Sequence, residues 1–296
     1  MIYLLLSIFF STLLVVILRA YTTWNIKTEH GIVFNYLVCC LTGLVAMPNK
    51  NILFQLPNWN GWIWCLLLGF GFIVIFLLIG KSTTLFGVST TSIAFKLSFI
   101  IPTIIAILFY GDSVSFSKTL GILMAISAVF FITYQPNKEN EIESVNNSNK
   151  NNFLFKNSWI LPLAILVGSG ITDAGFNFIQ RNFTPPNFDH IVTIMVFLGA
   201  FITGLLLYGK DKALYQWKNV FAGIILGIPN YGSLYFLLLA LKHTKLTPSI
   251  LFPINNLGII GLSALFGFFI FKEKFNTQKY IGFALAVLSI IIIGFF

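Results

Sequence analysis

The sequence predicts an all-α polytopic membrane protein whose ten transmembrane helices form two inverted five-helix repeats. Three observations carry that reading: a scarcity of charge, a succession of long apolar runs, and an internal repeat. Hydrophobic residues make up 57% of the 296-residue chain and charged residues 9%, and the mean hydropathy is +0.89. A soluble domain carries about 25% charged residues, so this chain lacks the polar material to cover a water-facing surface. A soluble enzyme, a disordered chain and a secreted disulfide scaffold are thereby excluded. The apolar material falls into about ten runs of roughly 18 to 24 residues, each long enough to cross about 30 Å of hydrocarbon at 1.5 Å per residue.

The spans are read as 2–19, 31–48, 61–80, 87–110 and 118–134, then 158–180, 190–208, 219–241, 247–271 and 278–296. The first has no basic lead and no small-residue cleavage site, so it reads as a span rather than a cleaved signal. The second carries a weak polar stripe, Asn35, Cys39 and Thr42. The third has Gly69 and Gly71 midway and reaches its loop through Lys81. The fourth contains Lys96 and is expected to kink at Pro102. The fifth follows Lys118. After it comes the one long polar segment, Gln135 to Asn157, rich in Asn and Glu and unable to form a core, which reads as a solvated linker. The sixth span carries Asp173, and the seventh starts at His190. The eighth holds Pro229 and Asn230 and leaves through Lys242. The ninth holds Pro253, Asn255 and Asn256, and the tenth follows Lys279. Trp59, Trp62, Trp159 and Trp217, near span ends, suit the membrane interface. The chain thus divides into a first repeat (1–134), a linker (135–157) and a second repeat (158–296).

An offset of 161 residues lays 42–134 over 203–295 without a gap. Thr42-Gly43-Leu44 falls on Thr203-Gly204-Leu205, and Leu53, Gln55 and Asn58 fall on Leu214, Gln216 and Asn219. Gly71 meets Gly232, Lys81 meets Lys242, Asp112 meets Glu273, Lys118 meets Lys279 and Gly121 meets Gly282. Two unrelated apolar strings would match in Leu and Phe, not in loop polars at constant register. A five-span unit ends on the opposite side of the membrane from its start, so the second copy must insert upside down. Such inverted repeats build alternating-access carriers with a site near the midplane.

The net charge of +9 would point to nucleic acid in a soluble protein. Here the basic residues are scattered through short loops, so no nucleic acid is expected, and the charge is read as orientation and lipid headgroup contact. Lys50, Lys118, Arg181, Lys242 and Lys245 fall on the side of the termini, and the other loop Lys and Arg fall opposite. That bias favours termini outside.

Phe109-Tyr110-Gly111-Asp112 with Lys118 and Gly121, and Phe271-Lys272-Glu273-Lys274 with Lys279 and Gly282, close the two repeats. The pattern resembles the "G-E-K/R, then Gly" signature of the EamA-like branch of the drug/metabolite transporter superfamily. The first copy has Asp112 for Glu and Ser113 for the basic residue, and the second has Lys272 in place of Gly. The resemblance covers nearly the whole chain. It implies ten helices, a central cavity from helices 1–4 and 6–9, a peripheral pair 5 and 10, and both termini on the inside; a bacterial inner membrane is the expected location. The charge bias and the resemblance oppose one another on orientation.

Ionisable groups deep in a span cost about 2.5–3.5 kcal/mol each at a helix centre and usually face a wet interior. Lys96 and Asp173 are two such groups. Ser169, Asp173, Asn177 and Gln180 share one face of the sixth span, and Ser89, Ser92, Lys96 and Thr103 share one face of the fourth. A purely structural ion pair is the competing reading. In the functional reading Lys96 attracts a carboxylate or phosphate, and Asp173 binds an amine or carries a coupling proton. Gly69-Phe70-Gly71 falls on Asn230-Tyr231-Gly232 behind Pro229, the kind of paired interruption that marks carrier sites, with small-residue helix packing as the alternative. Asn255 and Asn256 supply donors and acceptors on the ninth span.

The expected function is secondary transport of a small polar or zwitterionic, amino-acid-like metabolite, with proton or ion coupling open. A membrane enzyme or scaffold on the same fold is the alternative. No cofactor, metal or catalytic residue is expected: Gly204 to Lys210 imitates a phosphate loop, but Asp211 stands where it needs Ser or Thr. The expected partners are a small-molecule substrate and the lipid bilayer, with the chain a monomer or homodimer.

Overall fold

The computed structural model describes residues 1–101, 104, 116–133, 160–185, 188–243, 248–273 and 276–295. The stretch Phe109-Tyr110-Gly111-Asp112, Pro102, Thr103, Trp159 and the linker lie outside the described residues. The described regular structure is helical throughout: α1 (Ile2–Thr23), α2 (Thr28–Ala46), α3 (Gly61–Phe86), α4 (Val88–Lys96), α5 (Phe116–Thr133), α6 (Ile160–Phe183), α7 (Asp189–Tyr208), α8 (Trp217–His243), α9 (Pro248–Phe269) and α10 (Thr277–Phe295). Short 3-10 turns cover Lys50–Asn58, Leu97–Phe99 and Lys212–Tyr215.

Helices α1, α2, α3, α7 and α8 each contain a stretch long and apolar enough to cross a membrane, and shorter apolar stretches occupy α5, α6, α9 and α10. The chain is an integral membrane protein. Large apolar side chains such as Leu67, Leu123, Leu206 and Ile228 are exposed on its outside, where acyl chains replace water.

Helix packing follows a closed order: α1, α8, α2, α7, α3, α6, α4, α9 and back to α1, with α5 and α10 packed on one another to one side. Within lipid, association rests on close packing and interhelical hydrogen bonds rather than on expulsion of water. Small residues accordingly mark the contacts. Gly69 of α3 meets the backbone of Val196 and Ala200 on α7, and Gly199 meets the backbone of Leu66. On the other side of the ring Val38 of α2 rests on Gly227 of α8, and the Asn230 amide donates to Asn35 Oδ1 at 3.1 Å. These contacts occupy positions related by the 161-residue offset: Leu66 and Gly199 answer to Gly227 and Val38, and Gly69 and Val196 answer to Asn230 and Asn35. Helices α2 and α7 also begin 161 residues apart, as do α5 and α10.

Chain directions follow from the same contacts. Thr28 and Ile32 of α2 lie at Gly80 of α3, and the Tyr36 hydroxyl donates to the Phe72 carbonyl at 3.1 Å, so α2 and α3 are antiparallel. Phe34 lies at Gly223, Val38 at Gly227 and Gly43 at Tyr231, so α2 and α8 are parallel.

One end of the ring is drawn shut. There α1 crosses to α3: Leu18 packs on Gly80, and the Arg19 guanidinium donates to the Thr84 carbonyl. Lys27 and His30 both reach Asp211 Oδ2, at 3.3 and 3.1 Å. At the same end Glu273, beyond α9, accepts from the Val88 and Ser89 amides and from the Ser89 hydroxyl, capping α4. Gly87 permits this approach: its φ is +91°, and a Cβ there would lie 2.4 Å from Glu273 Oε1. Among the described residues α6 makes no comparable crossing to α8 or α9 at the other end.

The structure departs from three expectations. The third span continues to Phe86 and the eighth to His243, and both run unbroken through Gly69-Phe70-Gly71 and Pro229. A 3-10 turn interrupts the fourth span at Leu97–Phe99, directly after Lys96. Trp59 is buried: its indole N–H donates to the Phe183 carbonyl and its ring packs on Phe188. Trp62 and Trp217 are exposed.

Candidate functional site

Lys96 is the last residue of α4, and the following residues tighten into a 3-10 turn. That turn brings Ser98 round to α6, where its hydroxyl donates to Asp173 Oδ2 at 3.0 Å. The approach needs a small residue opposite, and Gly170 supplies it: a Cβ there would lie 2.7 Å from the Ser98 carbonyl oxygen.

The two charges lie near one another on facing helices. Lys96 and Asp173 are each half-buried, surrounded by protein, and within each other's electrostatic field. They do not close into an ion pair, because among the described residues no carboxylate oxygen lies within 4 Å of Lys96 Nζ. The ammonium instead lies 4.4 Å from the centroid of the Phe95 ring, a contact worth about 0.5–1 kcal/mol when exposed and more when dry. One turn before each charge stands a fully buried serine, Ser92 before Lys96 and Ser169 before Asp173. Both hydroxyls lack a hydrogen-bond partner among the described residues. Unsatisfied buried polar groups are uncommon in folded proteins and call for an explanation.

The other candidate residues form two further groups. Asn230 joins α8 to α2 through Asn35, whose Oδ1 also faces the Cys39 thiol while its Nδ2 is buried without a partner among the described residues. Tyr231 is buried. Its hydroxyl lies 3.2 Å from His190 Nδ1, and its ring stacks on Tyr235 with centroids 6.0 Å apart. Asn255 is buried between helices: the Ser7 hydroxyl of α1 donates to the Ser233 carbonyl at 3.0 Å and reaches Asn255 Oδ1 at 3.2 Å. Asn256, on another face of α9, is half-buried. The side chain of Asn177 lies outside the described residues. The structure therefore brings Ser92, Lys96 and Asp173 to one place, and gives Asn230, Tyr231 and Asn255 partners at helix contacts.

Sequence reasoning missed Ser98, His190 and Glu273 as working groups. In an unbroken α-helix Ser98 would lie about 200° around from Lys96 at 3.6 residues per turn, so only the tightened turn reveals it. At the end that α1 closes, the electrostatics are those of a loop carboxylate. Asp211 is held below the ordinary carboxylate range, first by the Ala213 amide it caps and further by Lys27 and His30. His30 in turn meets the Asn219 amide at 3.2 Å through Nδ1.

No family model matches the chain. An uncharacterized protein of Haemophilus influenzae is 26% identical to it over 274 residues, which span 90% of this chain and 88% of that protein. The two are thus similar along nearly their whole lengths.

Proposed function

We propose that the chain is a secondary carrier of the EamA-like kind, moving a small polar or zwitterionic metabolite by alternating access. The observation that carries this reading is the enclosed, unclosed pair Lys96 and Asp173. Two charges kept only for packing would gain most by direct contact, since burying them apart costs solvation without the Coulombic return. Held apart, they leave room for a carboxylate against Lys96 and an amine against Asp173, with the Ser92 and Ser169 hydroxyls as spare donors and acceptors.

Ten spans in two inverted repeats are part of the same proposal. It is supported by α3 and α8 running in opposite senses, each judged against α2, and by the offset-related contacts at Gly69 and Asn230. A ring drawn shut at the Arg19 and Glu273 end, without a matching crossing at the other among the described residues, suits a carrier resting in one orientation. A bacterial inner membrane is the location that suits this reading.

The test is uptake into proteoliposomes from a panel of labelled zwitterionic, anionic and cationic metabolites, with protein-free vesicles and the Lys96→Met and Asp173→Asn variants alongside. Saturable uptake of a zwitterion, lost in both variants, is expected. Uptake no greater than that of protein-free vesicles across the panel, or unimpaired in both variants, rejects the proposal.

A further inference from the structure

We infer that the transport cycle is electroneutral, because the empty site and the site loaded with a zwitterion carry the same net charge. This rests on the carrier reading above and goes beyond it by specifying what can drive the cycle. Lys96 and Asp173 sum to zero in the empty chamber. A proton passing from the ammonium to the carboxylate leaves the sum unchanged, wherever that proton resides. A zwitterion adds one charge of each sign and again changes nothing.

The rest of the described charge stays near helix ends, as Arg19, Lys27, Lys81, Asp211 and Glu273 do. No other described ionic group therefore travels through the field with the chamber. The reach of Lys96 adds a second element. Its ammonium rests on the Phe95 ring at the end of a flexible stem, which can carry it to Asp173 as the empty carrier reorients. An empty carrier can then return with its charges paired, which removes the need for a co-transported ion. The solute gradient alone drives net movement, and the membrane potential does no work on either half of the cycle.

The experiment uses reconstituted full-length protein and a mixture of uniformly 14C-labelled neutral L-amino acids. Potassium diffusion potentials of about 100 mV of either sign are set with valinomycin. The expected result is protein-dependent uptake at rates agreeing within about twofold at the two signs. Uptake driven by one sign overturns electroneutrality and leaves the carrier reading standing. Absence of protein-dependent uptake overturns the zwitterion reading and this inference with it.

A substrate-free measurement separates a charge role from a packing role. Ser92, one turn before Lys96, is replaced by cysteine and labelled with a membrane-impermeant thiol reagent at both potentials, the buried native cysteines serving as background. With the pair intact the labelling rate is the same at both signs. With Lys96→Met added, and labelling carried out at alkaline pH so that Asp173 stays ionised, the empty carrier holds one uncompensated negative charge and the rates diverge, by up to about 50-fold for each 100 mV that separates the two potentials. Equal rates in the Lys96→Met protein overturn the inference. Absence of labelling in both proteins does so too, because it denies the accessible chamber.

Discussion

Glu273 caps the helix that begins at Val88, 185 residues away in sequence. The carboxylate accepts from the Val88 amide and takes the Ser89 hydroxyl at 2.7 Å, meeting donors that no carbonyl within the helix can satisfy. A negative group there also faces the positive end of the α4 dipole. Glu273→Ala is therefore expected to cost about 1–2 kcal/mol, read as a lowered melting temperature in detergent, while Glu273→Gln retains part of the loss. Gly87→Ala is expected to be at least as damaging, through its φ and the contact with Glu273.

The Asn35 and Asn230 amides depend on one another. Truncating Asn230 leaves the buried Asn35 short of a partner, and truncating Asn35 leaves the half-buried Asn230 amide without its acceptor, at about 1–3 kcal/mol for the buried case. The double variant Asn35→Val with Asn230→Gly installs the Val196 and Gly69 solution found on the other side of the ring. It is expected to recover most of that loss. A double-mutant cycle in denaturant or heat would show it as a coupling energy of about 0.5–3 kcal/mol.

Gly69 and Gly199 admit no side chain without moving backbone, since a Cβ would lie 2.4 Å from the Val196 carbonyl oxygen in one case and 2.5 Å from the Leu66 carbonyl oxygen in the other. Gly69→Ala and Gly199→Ala should each cost about 1–3 kcal/mol by forcing α3 from α7. Gly261, where a Cβ would meet open space, is the control and should tolerate alanine in the same thermal assay.

Asp211 should contribute to acid sensitivity. Its folded-state value lies below its unfolded one, so its stabilising contribution is complete above the ordinary carboxylate value of about 3.9 and is lost as pH falls through the lower folded value. Asp211→Asn is expected to melt lower than the parent at neutral pH. The gap should narrow as pH drops below about 4, when the parent carboxylate protonates too. Melting temperatures of both proteins across that range check the sign.

Lys96→Met and Asp173→Asn should each destabilise the protein more than the double variant does, because each single change strands a charge in a low-dielectric interior. Thermal melts of the four proteins would show it. A double variant no better than the worse single one would mean that the two charges do not compensate each other.

What could be read from the sequence followed from periodicity and length. The apolar runs located most helices to within a few residues, since a helix that must satisfy its backbone inside lipid has little choice of conformation. Lys96 and Asp173 were visible because charge in such a run is rare. The break after Lys96 was not visible: Leu97-Ser98-Phe99 contains neither Gly nor Pro, and the tightening comes with tertiary contacts, Ser98 to Asp173 and the close approach at Gly170. Gly69 and Pro229 misled for the converse reason. A glycine in a membrane helix can mean a break or a close neighbour, and here the neighbour is α7. Trp59 was misplaced because proximity to a span end does not say whether the indole finds a carbonyl inside the fold.

The contrast between Gly69 facing Val196 and Asn230 facing Asn35 limits how the two segments can pair. If two copies of the first segment associated, the amide of α2 would confront the bare glycine of α3, leaving a hole and an orphaned polar group. If two copies of the second did so, the amide of α8 would confront valine. Only the mixed pairing satisfies both contacts, so the molecule carries its own rule against self-association of like segments, written at four positions and independent of whatever it carries.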